Sequence, residues 1–112
     1  MAEKRIVIEP FNRENLKEAS YTFTLLDEVI LQPGEFTVAL TKEKITLAEN
    51  ICCILSTRGS VAQMGVDALQ SSTFVEPRSD NQLKLEIKNN SLVPVTLSAG
   101  LPIVKGIFLP VL

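Results

Sequence analysis

Short alternations of apolar and polar residues, separated by turn residues, constrain this chain more than any other feature. Within residues 82–89, three apolar side chains at odd positions alternate with Lys, Glu and Lys at even positions. Within 35–41, Phe36, Val38 and Leu40 alternate with polar or small residues. This period of two predicts strands with one buried face. Such segments recur at intervals of roughly 8–12 residues, which indicates a β-sandwich or barrel.

The remaining segments extend this all-β prediction over a single domain, 1–112. Helical turns are predicted at 13–19, with Asn12 as the cap, and at 60–65. Further strands are predicted at 6–9, 20–30, 45–47, 51–56, 68–75, 93–97 and 103–111. Turns are predicted at 33–34, where Pro followed by Gly suits a type II turn, and at 77–81, 89–91 and 99–100.

The chain contains no histidine, which excludes several classes of catalytic site. Ser-His-Asp triads, Cys-His pairs, H-E-x-x-H zinc sites and the zinc-dependent cytidine deaminase signature all require this residue. No G-x-x-x-x-G-K-[ST] or G-x-G-x-x-G phosphate loop is present, and the chain has only five glycines. Catalysis would therefore depend on carboxylates, hydroxyls, arginine and a metal ion.

Charge and hydropathy patterns exclude two kinds of partner. The 11 basic residues are scattered and the formal net charge is −2, so we expect no nucleic-acid groove. No apolar run reaches the roughly 18 residues that span a bilayer, and residues 1–5 lack the apolar core of a signal peptide. Adjacent Cys52 and Cys53 fit one core thiol and one outward thiol in a reducing compartment. We therefore expect a cytoplasmic protein without membrane contact.

Three stretches, in order along the chain, form a larger pattern. The first is I-E-P-F-N-R-E-N-L-K-E-A-S-Y-T-F-T-L at 8–25, and the second is L-S-T-R-G-S-V-A-Q-M-G-V at 55–66. The third, within 75–89, is V-E-P followed by L-K-L-E-I-K-N. A weaker stretch lies at 99–108, and L-Q-P-G-E-F occupies 31–36. Their order and spacing resemble the dCTP deaminase branch of the dUTPase superfamily.

This resemblance implies a fold, an assembly and a class of ligand. The fold is a distorted β jelly roll, which places one short helical turn among the strands. The assembly is a homotrimer with three nucleotide sites at the subunit interfaces. The implied ligands are the deoxypyrimidine nucleotides dUTP and dCTP. Mg²⁺ is held mainly by their phosphates, and no residue of this chain is expected to act as a metal ligand.

The resemblance also assigns roles to individual residues. Glu86 stands where the deaminases keep a general base, and Glu76, before Pro77, stands where the family has Asp-Pro. Four residues of the second stretch are expected to contact the nucleotide, namely Arg58, Gly59, Ser60 and Gln63.

Each of these roles has a simpler alternative. Arg58 suits an interface carboxylate as well as a phosphate. Ser60 suits a helix N-cap as well as a phosphate contact. Glu86, on the polar side of an alternating strand, suits a solvated surface position. Gln63 suits the trimer centre or the surface.

Departures from the family pattern predict an eroded site. The family's aspartate in the first stretch is Thr22 here, which removes a carboxylate. In the second stretch a serine is replaced by Gly59 and an arginine by Gln63. In the third, two glycines of the hairpin that folds over the nucleoside are replaced by Arg78 and Asn81. We also expect the family's flexible C-terminal tail, which closes over the phosphates, to be missing.

Three functional hypotheses follow. The first is an enzyme that hydrolyses dUTP or deaminates dCTP, with weak or lost activity. In this case dCTP deamination is expected to be very weak, and dUTP hydrolysis, with Glu76 or Glu86 aiming the water, is the favoured residual activity. The second is a non-catalytic trimer that binds nucleotides or regulates on the same fold. The third is a structural β-sandwich whose motif matches are accidental.

Overall fold

The computed structural model describes residues 5–112, and short antiparallel strands form most of it. In chain order, strands β1 to β10 are Ile6–Glu9, Tyr21–Thr24, Val29–Leu31, Phe36–Leu47, Ile51–Thr57, Val66–Asp67, Phe74–Val75, Asp80–Asn89, Val95–Leu97 and Pro102–Pro110. A 3-10 turn spans Arg13–Asn15, and a four-residue helix, α1, spans Gly59–Ala62. The all-β prediction and both predicted helical turns are confirmed. The single-domain prediction stays a prediction, and its residues 1–4 lie outside the described part.

The strands form two main sheets with the core between them. One sheet has the order β1-β4-β8-β6 and the other β2-β10-β5-β7, while β3 and β9 pair separately. All pairs are antiparallel. The sandwich prediction is confirmed. The barrel alternative is wrong, because the sheets of residues 5–112 do not close on themselves.

The core is built by the inward-facing residues that the alternation predicts. Tyr21 and Phe23 from β2 are fully buried, with ring centroids 5.3 Å apart in an edge-on contact. Leu85 and Ile87 from β8 meet them from the other sheet and are also fully buried. Burying each such side chain contributes about 1.5–3 kcal/mol.

Strand β4 departs from the predicted pattern. It runs unbroken through two predicted strands, with a register shift between Leu40 and Lys44. Before this bulge Phe36 and Val38 face outward and are about half exposed, and after it Ile45 is fully buried. The odd-numbered residues of β4, from Thr37 and Ala39 to Ile45, face inward on both sides of the shift, so the face that contains Phe36 is the outward one along the whole strand. The expected burial of the Phe36–Val38–Leu40 face is therefore wrong.

Two other predicted strands are shorter than expected. The strand predicted at 20–30 is two strands, β2 and β3, because Leu26 leaves the sheet and its N–H bonds to the Leu40 carbonyl at 3.0 Å. In the segment 68–75 only β7 is extended, because the Asp67 carboxylate accepts the Leu69 N–H at 3.0 Å and turns the chain. Local bonds of this kind compete with strand pairing.

Predicted turns and caps agree with the structure. Gly34 has φ +79, and the Glu35 N–H bonds to the Gln32 carbonyl at 3.0 Å, as a type II turn requires. The Asn12 side chain accepts the Glu14 N–H at 2.9 Å and caps the 3-10 turn.

The two cysteines of β5 are both free and both buried. Cys53 is in the core, where burial raises the pKa of its thiol to about 12. The expectation that Cys52 is an outward thiol is incomplete, because this residue is also shielded from solvent. Among residues 5–112, no helix is long and apolar enough to cross a membrane.

Candidate functional site

The segment from Arg58 to Gln63 lies at the end of β5. The Arg58 N–H bonds to the Ile103 carbonyl at 2.9 Å, which holds this end of the strand against β10. The Arg58 guanidinium donates to Ser60 Oγ at 3.3 Å. Arg58, Gly59, Ser60 and Gln63 are all exposed. These four candidate nucleotide contacts are therefore close in the chain and open to solvent.

The alternative role for Ser60 is wrong. The N-cap of α1 is Arg58, and Ser60 lies inside the helix with its hydroxyl toward the Arg58 side chain. Ser60 therefore does not cap this turn through its side chain.

Glu86 lies on the outward face of β8, opposite Val38 of β4. Its Oε1 accepts hydrogen bonds from the Ser71 N–H and the Ser71 hydroxyl, both at 2.9 Å. The backbone bond first, and the hydroxyl bond second, lower the pKa of Glu86 below its ordinary value. A carboxylate stabilised in this way is a weaker base than a free one.

Glu76 follows β7 at the start of the turn into β8. It lines a cleft of about 280 Å³ that runs along this hairpin, together with Ser72, Phe74, Asn81 and Lys84 among others. The cleft combines an acidic group, a basic group, a hydroxyl and an aromatic ring. It can therefore hold a small polar molecule with one flat apolar face.

The turn between β7 and β8, which lie in different sheets, has a left-handed residue where the family resemblance places a glycine. Arg78 has φ +66, and Ser79 donates its N–H to the Glu76 carbonyl at 3.3 Å. The Arg78 guanidinium pairs with Glu49 at 2.8 Å on the surface. The turn conformation is thus the one a glycine favours, although a long charged side chain occupies it.

The predicted site residues form separate groups in one chain. The turn with Glu76 joins β8 at Asp80, whereas α1 packs on β6, which pairs with β8 at Asn89. Ser72 connects Glu76 to Glu86, because it lines the Glu76 cleft and also hydrogen-bonds to Glu86.

Two residues near these groups are not indicated by the sequence pattern. Ser71 holds Glu86, and it lies in a loop whose conformation depends on Asp67. Lys105 of β10 lies directly opposite Thr22 of β2 on one side and Ser56 of β5 on the other. Only the strand register, which alternation alone does not fix, brings these three together.

Another cleft lies away from all predicted site residues. It measures about 430 Å³ and is lined by the 3-10 turn and by Thr24, Lys42, Glu43 and Gly100. Glu43 is almost fully buried and accepts the Thr24 N–H at 2.8 Å and the Thr24 hydroxyl at 2.6 Å. Because both oxygens are engaged, Glu43 joins β2 to β4.

The donor set of the described residues does not fit a protein cage for Mg²⁺. Mg²⁺ prefers carboxylate and water oxygens in a near-octahedral arrangement. Within residues 5–112 there is no group of three or more His, Cys, Asp or Glu that could hold a metal ion. Thr22 supplies a hydroxyl where the family resemblance places a carboxylate.

Comparison with known proteins identifies the family. The family model described as dCTP deaminase-like matches residues 22–109. The chain is 31% identical over 102 residues to a dCTP deaminase (dUMP-forming) of Methanosphaerula palustris, covering 91% of this chain and 54% of that protein. It is 31% identical over 121 residues to a dCTP deaminase of Pyrococcus horikoshii, covering 95% and 76%.

Solved structures agree on the fold. A mutant dUTPase from phage phi11 of S. aureus, whose structure concerns the coordination of a structural Mg(II) ion, superposes with a TM-score of 0.81. It is 14% identical and covers 96% of this chain and 92% of its own. A mutant dUTPase of Staphylococcus bacteriophage 80alpha with dUpNHpp gives 0.78 at 14% identity, covering 96% and 83%.

These matches exclude accidental motif similarity, so the hypothesis of an unrelated structural β-sandwich is wrong. The fold is the dUTPase-like distorted jelly roll predicted from the resemblance. The chain spans about half the length of several of the dCTP deaminases it matches, such as 54% and 55% of those from Methanosphaerula palustris and Methanospirillum hungatei. On the family match and the relatives together, the chain belongs to the dCTP deaminase-like family.

Proposed function

We propose that this chain binds deoxypyrimidine nucleoside triphosphates, releases pyrophosphate from dUTP slowly, and has lost efficient deamination of dCTP. The observation that carries the proposal is the state of Glu86, within a family whose relatives are named dCTP deaminases. Its carboxylate is present but is held by two hydrogen bonds from Ser71. A base for attack on the pyrimidine ring must instead direct water, and it works best with a pKa near the operating pH.

The residues around Glu86 support loss of deamination. A preorganised donor at a developing charge typically contributes on the order of 100- to 1000-fold in rate. Gly59 offers no hydroxyl and Gln63 no guanidinium where the resemblance places both. The two losses need not multiply, because groups that act as a unit are not additive. One loss alone would leave deamination close to background.

Pyrophosphate release from dUTP needs fewer catalytic groups than deamination of dCTP. It needs a carboxylate to aim water at phosphorus and cations to hold the phosphates. Glu76 in the hairpin cleft and Glu86 on β8 are the candidates for the first role, and Arg58 is a candidate for the second. Mg²⁺ arrives bound to the nucleotide phosphates in this proposal, since the described residues supply no cage for it.

The proposal includes a homotrimer with sites shared between subunits. In one chain the Arg58 segment and the Glu76 hairpin lie toward opposite ends of β8, so a second subunit is needed to bring such groups together. Outward-facing apolar residues are available to form the contacts, including Ile54, Phe74 and Ile107, which are 43%, 50% and 41% exposed. The same proposal places the protein with the nucleotide pool of the cytoplasm.

The alternative is a trimer that binds nucleotide without catalysis, as a regulatory or structural subunit. The engagement of Glu86 by Ser71 favours this alternative, because a carboxylate committed to a loop is not free to activate water. Both alternatives predict nucleotide binding, and only the first predicts product.

A paired assay on dUTP and dCTP distinguishes slow catalysis from nucleotide binding without catalysis. We expect slow pyrophosphate release from dUTP, reduced by Glu76→Gln or Glu86→Gln, and no ammonia release from dCTP above background. Absence of both products with intact dUTP binding would favour the non-catalytic alternative. Brisk ammonia release that disappears in Glu86→Gln would contradict the claim of an eroded site.

A restored variant provides the matched control for that assay. Gly59→Ser together with Gln63→Arg returns the two groups that the family pattern contains. A Cβ at Gly59 meets nothing within 4 Å and Gln63 is exposed, so the variant should fold normally. We expect it to raise ammonia release from dCTP while dUTP binding is maintained.

A further inference from the structure

The loop between β6 and β7 is organised by the carboxylate of Asp67 at its start. Asp67 Oδ1 accepts the Leu69 N–H at 3.0 Å and the Gln70 N–H at 3.4 Å, and Oδ2 accepts the Gln70 side-chain amide at 3.0 Å. The Thr57 hydroxyl donates to Oδ1 at 3.5 Å and accepts the Ala68 N–H at 3.2 Å. The carboxylate therefore ties the loop to the end of β5.

Gln70 has a left-handed backbone, with φ +42. A residue other than glycine rarely adopts this conformation, which persists where the surrounding contacts determine it. Both the backbone N–H and the side-chain amide of Gln70 bond to Asp67. Asp67 therefore stabilises a backbone conformation that the loop would otherwise avoid.

The turn that Asp67 stabilises is the one from which Ser71 donates to Glu86. Ser71 directly follows Gln70, and its N–H and hydroxyl both bond to Glu86 Oε1 at 2.9 Å. The next hydroxyl along the loop bonds back to the Leu69 carbonyl at 2.7 Å and closes the turn. Because a backbone N–H is placed by the dihedral angles before it, the bond from the Ser71 N–H depends on the turn at Asp67.

The charges around Glu86 allow an effect through the loop to be distinguished from a direct effect of charge. On the outer face of β8, Lys84 and Lys88 lie on either side of Glu86, and Asp67 of β6 lies opposite Lys88. Strand β4 presents apolar side chains to this face, with Val38 directly opposite Glu86. Removing the negative charge of Asp67 alone would lower the pKa of Glu86, whereas losing the serine bonds of the loop would raise it.

We propose that Asp67 is a positioning residue, which acts on Glu86 through the loop by fixing the turn from which Ser71 donates. This inference rests on the proposed function for the role of Glu86 as a group that directs water. In the wild type the turn holds the carboxylate toward the loop, so Asp67 restrains turnover without touching the nucleotide. Loosening the turn releases Glu86 to direct water.

The test is the pKa of Glu86, measured by NMR at its carboxyl carbon in the protein without nucleotide. Asp67→Ala removes both acceptor oxygens and should raise this pKa toward 4.5, its ordinary value. Asp67→Asn removes the charge but keeps an amide oxygen that accepts the Leu69 and Gln70 N–H groups, so the pKa should not rise. Asp80→Ala, at the other end of β8, is the control and should leave the pKa unchanged.

The rate of pyrophosphate release from dUTP is the second readout. Asp67→Ala should increase it about tenfold, since one hydrogen bond to a charged group no longer holds Glu86 away from water. Asp67→Asn should keep the wild-type rate.

The outcomes separate the inference from the proposed function. An unchanged or lowered pKa of Glu86 in Asp67→Ala overturns the inference, and the proposed function stands if that variant still binds and hydrolyses dUTP. If the pKa rises but no variant binds or hydrolyses dUTP, the positioning role stands and the proposed function fails.

A measurement on the wild type covers the case in which Asp67→Ala does not fold. The amide proton of Ser71 should shift with the titration of Asp67 as well as with that of Glu86, because the turn connects the two carboxylates. A Ser71 amide that follows Glu86 alone would overturn the inference.

Discussion

Individual residues control how reactive the candidate site is. Glu86 stands where the family resemblance places a base, and its two bonds from Ser71 stabilise the charged form and lower its pKa. Because the folded-state pKa is below the unfolded value, Glu86 adds stability above its unfolded pKa. That contribution is lost as the pH falls through the folded pKa.

Replacing Ser71 tests this coupling. Ser71→Ala removes the hydroxyl bond and keeps the backbone N–H, so the pKa of Glu86 should rise part of the way toward 4.5, its ordinary value. At neutral pH the variant should be less stable than wild type in urea unfolding. At a pH below the folded-state pKa of Glu86 the difference should shrink, because the carboxylate is then protonated in both proteins. An equal difference at both pH values would show that Ser71 acts through something other than this carboxylate.

Gly106 of β10 lies where the packed core leaves no room for a side chain. A Cβ there would lie 2.7 Å from Cys53 Sγ and 2.9 Å from Phe23 Cε2, both core atoms. We expect Gly106→Ala to destabilise the protein by about 1–3 kcal/mol, as overpacking does, measured by urea unfolding. Gly59→Ala is the control, since a Cβ there meets nothing within 4 Å. Equal stability of the two variants would contradict the packing described here.

At the scale of elements, the junction of β2 and β4 is the connection that sequence periodicity does not predict. The alternation in 82–89 predicts β8, and the Pro-Gly pair at 33–34 predicts the turn before β4, because both depend on local chemistry. The bulge in β4 depends on its partner strands instead. Glu43 lies on the inward face of β4, where Thr24 donates hydrogen bonds to both of its oxygens.

Glu43 should therefore matter for stability more than an exposed glutamate does. Glu43→Ala leaves the Thr24 N–H and hydroxyl without their buried acceptor, which costs about 1–3 kcal/mol for each such group. Glu49→Ala, which removes a surface ion pair with Arg78, should cost no more than about 1 kcal/mol. Thermal unfolding of both variants measures the difference. A Glu43→Ala protein as stable as Glu49→Ala would show that this junction is not structural.

Candidate site residues were predictable from sequence only as separate motifs. Glu86, Glu76 and Arg58 are identifiable because their stretches resemble family patterns in order and spacing. The contact of Ser71 with Glu86 depends on a loop conformation, and the position of Lys105 beside Thr22 and Ser56 depends on strand register; both are set by tertiary contacts. Alternation also does not determine which face of a strand lies against the core, and for this reason the exposed face of β4 was expected to be buried.

At the scale of the whole molecule, the proposal brings the candidate groups together between chains. We expect a homotrimer, with a mass near three times the chain mass of 12.3 kDa, by light scattering on a size-exclusion column. Closed rotational symmetry places the same two surfaces in each of three interfaces. A clean monomer at micromolar concentration would contradict shared sites between subunits.

A thermal-shift series with deoxynucleoside triphosphates tests the central claim most directly. A ligand that binds the native state stabilises it by about 2.7 kcal/mol at 100 times its Kd. The deoxypyrimidine account predicts that dUTP and dCTP raise the melting temperature more than dATP and dGTP at equal concentration, since the phosphate charge is the same in all four. Equal shifts from all four nucleotides, or no shift from any, would contradict it.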